Sequence, residues 1–273
     1  MNHPSQILQS YGLEPKKSLG QNFLFDDNVL GRIVAAANVQ PTDVVLEIGP
    51  GLGHLTRLLA AAAGRVVAVE LDDRLIPVLQ EQLAGLDNVQ LIHGDILAQD
   101  PARLFAAPYK VAANVPYYIT GAILRHLLDA PHKPTHMVMT VQKEVAERAT
   151  AVPPNMSLLS ATVQFYAQAT VTGVIKAGAF YPRPDVDSAI LALDLTQSPP
   201  LGIPPEEVPR FFRLVKTGFS QKRKQLQKNL RQLGMDKKIV AQKLALAGID
   251  GRARAETLSL EQWASLYKQL YHT

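Results

Sequence analysis

The sequence predicts an α/β fold, in which a mostly parallel sheet wound by helices is followed by a smaller, all-helical domain. Apolar, β-branched runs alternate with helical patterns through about residue 195. Strands that are separated by helices pair in parallel through right-handed crossovers. After a proline-dense stretch at 198–205, apolar residues recur at helical spacing. We therefore expect one domain at residues 1–197 and a second at residues 206–273.

The elements of the predicted sheet are short apolar runs with helical patterns beside them. The predicted strands are residues 44–48, 66–70, 89–92, 110–113 and 136–141, and the predicted helices are residues 54–63, 75–86 and 143–148. Two later strands, at residues 171–175 and 189–195, follow each other without an intervening helix. Such a connection favours antiparallel pairing, so we expect an antiparallel edge strand.

The composition excludes several classes of protein. The chain has no cysteine, so disulfides and cysteine-ligated zinc are excluded, and we expect no metal site. The first eleven residues are polar, and no apolar run approaches the ~18 residues of a membrane span. We expect a cytoplasmic protein without a membrane partner. The net charge of +4 is a weak indication of a polyanionic partner.

A glycine loop at residues 47–53 separates the first of these strands from a helix. Glycines permit a sharp turn and a close ligand approach, and the helix start offers free N–H groups to an anion. The spacing is G-x-G-x-G, which differs from the dinucleotide pattern G-x-G-x-x-G. S-adenosylmethionine fits better, because its methionine carboxylate is the anion to be held. We predict that Gly49 and Gly51 bind this cofactor; the alternative is a purely structural turn.

Two acidic residues end the next two strands. Glu70 lies about 20 residues beyond the first glycine, where nucleoside-binding folds place a carboxylate for the ribose hydroxyls. Asp95 follows the third strand and could accept a hydrogen bond from an adenine amino group. Either residue alone is better explained as a solvated side chain at a strand end. Together with the glycine loop they favour a nucleoside site at the carboxyl edge of the sheet.

The tetrapeptide Asn114-Val115-Pro116-Tyr117 follows the fourth strand. An exocyclic amine is a poor nucleophile because its lone pair is delocalised, and two acceptors aimed at its N–H groups would release that lone pair. The Asn114 oxygen and the carbonyl of Val115 or Pro116 are candidates, and Pro116 fixes where those carbonyls point. The Tyr117 ring could stack on a base. The alternative is an ordinary turn, since Asn and Pro are common in turns.

These motifs together resemble the ribosomal RNA adenine N6,N6-dimethyltransferase family, and within it the bacterial small-subunit enzymes. The stretch at 16–24 is similar to the family's N-terminal cofactor motif, which implies that Asn22 and the backbone at Leu24 contact S-adenosylmethionine. Positions that match the family's remaining cofactor contacts are Gly49, Glu70, Asp95 and Asn114. The resemblance covers nearly the whole chain, and it implies a Rossmann-like, S-adenosylmethionine-dependent catalytic domain.

A further segment at 180–188 resembles the family's F-x-P-x-P-x-V-x-S motif. The likeness implies that Phe180 and Tyr117 sandwich an adenine that has been flipped out or taken from a distorted segment. Without the likeness, Phe180 would be interpreted as a packed loop anchor. Two departures stand out: Val115 replaces a common Leu, and residues 151–157 lack a frequent Tyr-Gly pair. The second departure leaves the RNA contacts of that region open.

The helical tail is strongly basic. Eleven Lys or Arg residues and one Asp lie between positions 210 and 243, and the densest cluster is at 220–224. This imbalance favours contact with a phosphate backbone, although charge runs also occur on ordinary solvated helix faces. No single basic residue can be assigned to the contact.

The resemblance implies dimethylation of N6 of two adjacent adenines in a hairpin near the 3′ end of small-subunit (16S) ribosomal RNA. It further implies a precursor 30S particle as substrate. Two alternatives stay open: a large-subunit (23S) adenine dimethylase of the macrolide-resistance type, and a non-catalytic ribosome-assembly factor. Nothing in the sequence demands a partner chain, so we expect a monomer.

Overall fold

The computed structural model describes residues 2–198 and 201–272. The chain divides into two compact units, Met1–Ala146 with Ala169–Thr196, and Glu147–Gln168 with Gln197–Thr273. Pro199 and Pro200, part of the predicted proline-dense boundary, lie outside the described residues.

The described residues form nine strands and twelve α-helices. The strands are β1 Phe23–Leu24, β2 Val44–Ile48, β3 Arg65–Glu70, β4 Val89–His93, β5 Lys110–Ala113, β6 His136–Gln142, β7 Gln168–Ile175, β8 Phe180–Tyr181 and β9 Ser188–Asp194. The helices are α1 Pro4–Ser10, α2 Asp27–Ala36, α3 His54–Ala62, α4 Ile76–Gln82, α5 Pro101–Leu104, α6 Thr120–Asp129, α7 Lys143–Ala149, α8 Leu158–Tyr166, α9 Val208–Gly218, α10 Leu226–Leu230, α11 Lys237–Leu246 and α12 Leu260–Tyr271.

Seven of these strands form one sheet in the order β4-β3-β2-β5-β6-β9-β7. The pairs from β4 through to β6 are parallel, whereas β9 runs antiparallel to β6 over its full length. The predicted α/β fold with an antiparallel strand is therefore confirmed. That strand, β9, lies second from the edge, and β7 occupies the edge.

The central strands are buried on both faces, which explains their continuous apolar sequences. Val45, Leu46, Val66 and Val111 are fully buried or nearly so. One helix is shorter than predicted: α4 ends at Gln82 although the apolar pattern continues to residue 86. The chain turns there through Gly85, which has a φ of +82°.

A two-stranded sheet outside the main one was not predicted. β1 pairs antiparallel with β8, so that Leu24 lies opposite Phe180. Two-residue strands carry no periodicity, so only their partners define them. This pairing brings the N-terminal segment beside the segment at 180–188.

The second unit is all-helical, but it extends further than the predicted range of 206–273. It also contains Glu147–Gln168, which we had assigned to the sheet domain at 1–197. The reason is packing: Met156 and Ala161 are buried in one core with Phe211, Leu214 and Trp263. The capping box of Ser157 and Ser160 starts α8 within this unit. Chain order alone suggested a single boundary, whereas the apolar face of α8 belongs to the helical core.

Candidate active site and candidate RNA-binding surface

All the site residues that the sequence predicted line one cleft in the sheet unit. The cleft lies at the carboxyl ends of β2, β3, β4 and β5, which are neighbours in the sheet. The predicted residues that line it are Asn22, Leu24, Gly49, Gly51, Glu70, Asp95, Asn114, Pro116, Tyr117 and Phe180. Parallel strands present their carboxyl ends at one edge, and that geometry gathers residues distant in the chain.

The glycine loop between β2 and α3 has a backbone that other residues adopt only with strain. The φ angles of Gly49, Gly51 and Gly53 are +68°, +60° and +82°. Space is also tight, because a Cβ on Gly51 would lie 3.0 Å from Cδ1 of Phe23. The loop therefore fits closely against the N-terminal segment, and α3 starts beside the cleft with its first N–H groups outside the helix ladder.

Glu70 is buried beneath this loop. Its Oε2 accepts from the Gly51 N–H at 3.1 Å, and its Oε1 accepts from the Asp72 N–H at 2.8 Å. Burial raises the pKa of the Glu70 carboxyl. Each carboxylate oxygen can accept more than one hydrogen bond, so both remain available to a ligand's hydroxyl groups.

A polar cluster that was not predicted from the sequence lies beside Glu70. The buried carboxylate of Asp72 accepts from the Gln21 side-chain amide at 2.7 Å and from two Arg74 guanidinium nitrogens at 2.9 and 2.6 Å. The hydrogen bonds from Arg74 keep the pKa of Asp72 below its usual range. Gln21 belongs to the N-terminal motif, so this cluster ties that motif to the end of β3. The 51-residue separation of Gln21 and Asp72 leaves no local sequence signal.

Asp95 caps the turn that follows β4. Its Oδ1 accepts from the Leu97 N–H at 2.9 Å, and the side chain is exposed at the cleft. This hydrogen bond orients the carboxylate and leaves Oδ2 outside the cap. Both sequence-based interpretations of Asp95, a solvated side chain at a strand end and a ligand acceptor, are compatible with this exposed position, whereas the capping role was not predicted.

Asn114 connects three segments at the end of β5. Its Nδ2 donates to the Asn22 carbonyl at 3.3 Å, and its Oδ1 accepts from the Thr140 hydroxyl at 2.5 Å. Thr140 belongs to β6 and is fully buried. The sequence singled out Asn114 and Asn22, but it provided no signal for Thr140.

Tyr117 is half-buried and its hydroxyl lies 2.6 Å from Oγ of Ser188, the first residue of β9. Burial raises the pKa of Tyr117. Phe180 is 4% exposed and packs in the sheet core while lining the cleft. Phe180 is therefore packed, as in the loop-anchor interpretation, and it also lines the cleft; its stacking on an adenine stays a prediction. The next residue after Tyr117, Tyr118, is 64% exposed at the cleft.

Glu47 is a buried carboxyl that the sequence analysis did not assign. It lines the cleft and is 1% exposed, and its Oε2 has no hydrogen-bond partner among the described residues. Burial raises its pKa to about 8, and the nearby charge of Glu70 adds to this effect. A pKa of about 8 favours the protonated form of Glu47 near neutral pH.

The helical unit carries the basic residues on its surface. Ten of the eleven Lys and Arg residues between positions 210 and 243 are exposed, and Lys243 is half-buried. The densest cluster, Ser220–Lys224, forms the connection between α9 and α10. Buried Asn229 supports this connection, since its Nδ2 donates to the Gly218 carbonyl at 2.6 Å and to the Gln221 carbonyl at 3.2 Å. We call residues 220–224 the basic loop.

Two negative findings apply to the described residues alone. Within 2–198 and 201–272, no helix has the length and apolar character that crossing a membrane requires. The same residues contain no group of three or more His, Cys, Asp or Glu side chains arranged to hold a metal ion.

Proteins of known name resemble this chain over nearly its whole length. A relative in Dehalococcoides mccartyi (strain CBDB1), named ribosomal RNA small subunit methyltransferase A, is 46% identical over 270 residues, covering 97% of this chain and 92% of the relative. The protein of the same name in Moorella thermoacetica is 44% identical, covering 97% and 96%. That in Bacillus pumilus is 41% identical, covering 96% and 93%.

Two solved structures share the fold and part of the sequence. The 23S rRNA methyltransferase ErmE is 31% identical with a TM-score of 0.75, covering 91% of this chain and 99% of that one. A dimethyladenosine transferase from Plasmodium falciparum is 25% identical with a TM-score of 0.75, covering 89% and 95%. The sequence model of the family described as ribosomal RNA adenine dimethylase matches residues 12–272. With its cleft, its motifs and this match in agreement, the chain belongs to the ribosomal RNA adenine dimethylase family.

Proposed function

We propose that this protein dimethylates N6 of two adjacent adenines in a hairpin near the 3′ end of small-subunit ribosomal RNA, with S-adenosylmethionine as methyl donor. One observation carries the proposal: the glycine loop, Glu70, Asp95 and the segment Asn114–Tyr117 line a single cleft. The relatives that are 41–46% identical are named small-subunit methyltransferases, which supports the choice of RNA.

The cleft has the chemistry that S-adenosylmethionine requires. Gly49 and Gly51 allow a carboxylate to approach the backbone N–H groups at the start of α3. Glu70 has acceptor capacity for the two ribose hydroxyls, and Asp95 for the adenine amino group. Asn22 and Leu24 of the N-terminal segment also line the cleft, and we propose that Asn22 and the backbone of Leu24 contact the cofactor. Oε2 of buried Glu47, which has no hydrogen-bond partner within residues 2–198 and 201–272, is a further polar atom beside the glycine loop.

We propose that the acceptor amine is prepared by the segment after β5. The bound cofactor supplies a methyl group on a positively charged sulfur, which makes that methyl strongly electrophilic. Asn114 Oδ1 and the carbonyl of Val115 or Pro116 accept the two amine N–H groups, which frees the nitrogen lone pair. The rings of Tyr117 and Phe180 hold the base, and each aromatic stack contributes about 1–3 kcal/mol. Alignment is then the main catalytic task, and no strong general base is needed.

We propose that the helical unit binds the phosphate backbone. The exposed basic loop and the other exposed cations on α9, α10 and α11 form a surface suited to RNA. Phosphate contacts position the RNA without reading its sequence, so this surface does not select the adenines. A precursor 30S particle as substrate, a monomeric state and a cytoplasmic location are parts of the same proposal.

Methyl transfer from radioactive S-adenosylmethionine to immature 30S and 50S particles tests the proposal. We expect label on the 30S particle, at N6 of adjacent adenines when the modified bases are mapped. Label on the 50S particle alone would favour the large-subunit reaction, for which the 31% identity to ErmE is the supporting observation. No label on either particle would leave the non-catalytic assembly factor as the remaining reading.

Replacing the proposed catalytic amide separates catalysis from binding. Asn114→Ala should abolish methyl transfer, because the variant lacks one of the two acceptors for the amine. Binding of RNA should stay within about twofold of wild type, since the cations of the helical unit are unchanged. Full activity of Asn114→Ala would refute the proposed role of this residue.

A further inference from the structure

A buried hydroxyl that the proposed chemistry does not use lies directly beside Asn114. Thr140 is fully buried in β6, and its Oγ1 lies 2.5 Å from Asn114 Oδ1. Sheet pairing accounts for the closeness, because Ala113 in β5 lies opposite Met139 in β6. Asn114 directly follows the last residue of β5, and Thr140 is the residue after Met139 in β6, which runs parallel to β5.

The partners of Asn114 determine which way its amide points. The carbonyl of Asn22 can only accept a hydrogen bond, so the group that faces it at 3.3 Å must be the Asn114 NH₂. The opposite end of the amide is then Oδ1, which also can only accept. The Thr140 hydroxyl must therefore donate to it. If the amide were rotated by 180°, its oxygen would face the Asn22 carbonyl, and two acceptors would repel each other.

We propose that Thr140 is a positioning residue that holds the Asn114 amide in the orientation required for methyl transfer. The inference rests on the proposed function, in which Asn114 Oδ1 accepts from the target amine. An amide oxygen has two lone pairs. The Thr140 hydroxyl occupies one of them and thereby directs the other, while the hydrogen bond to Asn22 fixes the NH₂ group. Thr140 itself does not touch the RNA in this arrangement.

The first test is a pair of substitutions at position 140. Thr140→Val keeps the volume and removes the donor, so kcat should fall about tenfold, the effect of one orienting hydrogen bond. The affinity for S-adenosylmethionine and the KM for RNA should change less than about twofold. Thr140→Ser keeps the hydroxyl and loses a buried methyl, so it should be less stable than wild type but should restore kcat to within about twofold.

A matched control is available in the same unit. Thr120 is also buried, and its hydroxyl has no hydrogen-bond partner among the described residues. Thr120→Val should therefore retain the wild-type kcat. A purely structural role of Thr140 predicts that activity follows thermal stability, so that Ser is the worse substitution. A hydroxyl-dependent role predicts the reverse order.

The outcomes separate this inference from the proposed function. If wild-type protein transfers no methyl group to RNA, the proposed function fails. If the wild type is active and Thr140→Val keeps its kcat, the positioning role is overturned, and the same holds if Thr140→Ser fails to restore the rate. Should Thr140→Val not fold, Thr140→Ala takes its place with the same expected loss of kcat.

Discussion

Gly51 offers a sharp test of how the glycine loop holds the cofactor, because two separate effects oppose a side chain there. Its φ of +60° lies in the left-handed region, where an alanine costs roughly 1–2 kcal/mol. In addition, an alanine Cβ would lie 3.0 and 3.2 Å from two ring carbons of Phe23. Phe23 or the loop must therefore move by several tenths of an ångström.

The expected loss of cofactor affinity follows from the bond that this movement disturbs. The Gly51 N–H donates to Glu70 Oε2 at 3.1 Å, which is already near the long end of the range. Moving the loop therefore displaces the Glu70 carboxylate, the proposed acceptor for the ribose hydroxyls. Losing one hydrogen bond to a charged group costs about 1.5–3 kcal/mol, which predicts a roughly 10- to 100-fold higher Kd for S-adenosylmethionine in Gly51→Ala.

Gly85→Ala is the matched control for the strain. Its φ is +82°, it is exposed, and an added Cβ would meet no atom within 4 Å. Both variants should lose stability, measured as thermal unfolding midpoints, with the larger loss in Gly51→Ala because the contact with Phe23 adds to the strain. Only Gly51→Ala should lose affinity in isothermal titration calorimetry. Wild-type affinity in Gly51→Ala, or an equal loss in Gly85→Ala, would refute the reasoning.

Three further predictions concern other parts of the chain. Asn229→Ala removes two buried hydrogen bonds and should lower the free energy of unfolding of the helical unit by about 1–3 kcal/mol. Unfolding in urea can be followed by the fluorescence of Trp263, the only tryptophan, and exposed Gln242→Ala is the neutral control. The pKa of Glu47 is about 8 in the folded protein and lower in the unfolded chain, so the unfolded chain binds fewer protons between these two pKa values. The free energy of unfolding of the wild type should therefore fall from pH 5 to pH 8. Glu47→Gln should remove the part of that fall due to Glu47, up to about 1.4 kcal/mol per pH unit, while the raised pKa of Glu70 leaves a smaller fall. An unchanged pH slope in circular dichroism would contradict the burial argument. Replacing the three cations at 222–224 by alanine should weaken RNA binding and reduce the slope of log K against log salt by about 2, whereas an unchanged slope would remove the basic loop from the interface.

The strands of the central sheet and their parallel pairing were accessible from the sequence because these strands are buried on both faces. Such strands are short apolar runs, and the helices between them require parallel pairing. The clustering of Gly49, Glu70, Asp95 and Asn114 followed from the same rule, since each residue ends a strand and parallel strands share a carboxyl edge. The residues of the cleft could be predicted from the sequence because each lies at or just after the carboxyl end of a strand, and the parallel pairing of those strands brings these ends together.

Features held by contacts between distant segments were not accessible. β1 and β8 are too short for any periodicity, and their pairing depends on a partner 156 residues or more away. The helix α8 follows the sheet segments in the chain, yet its apolar face is buried in the helical core, so the predicted boundary at residue 197 did not describe the second unit.

By itself, the sequence determined the fold class, the edge of the sheet that forms the cleft and the residue types that line it. Only the tertiary structure decided the surroundings of the cleft: Asp72 between Gln21 and Arg74, Glu47 with an Oε2 that has no hydrogen-bond partner in the described part of the chain, and Thr140 against Asn114. The physical reason is that burial and hydrogen-bond direction depend on all the neighbours of a side chain. A threonine within an apolar strand looks the same in the sequence whether its hydroxyl orients a catalytic amide or nothing at all.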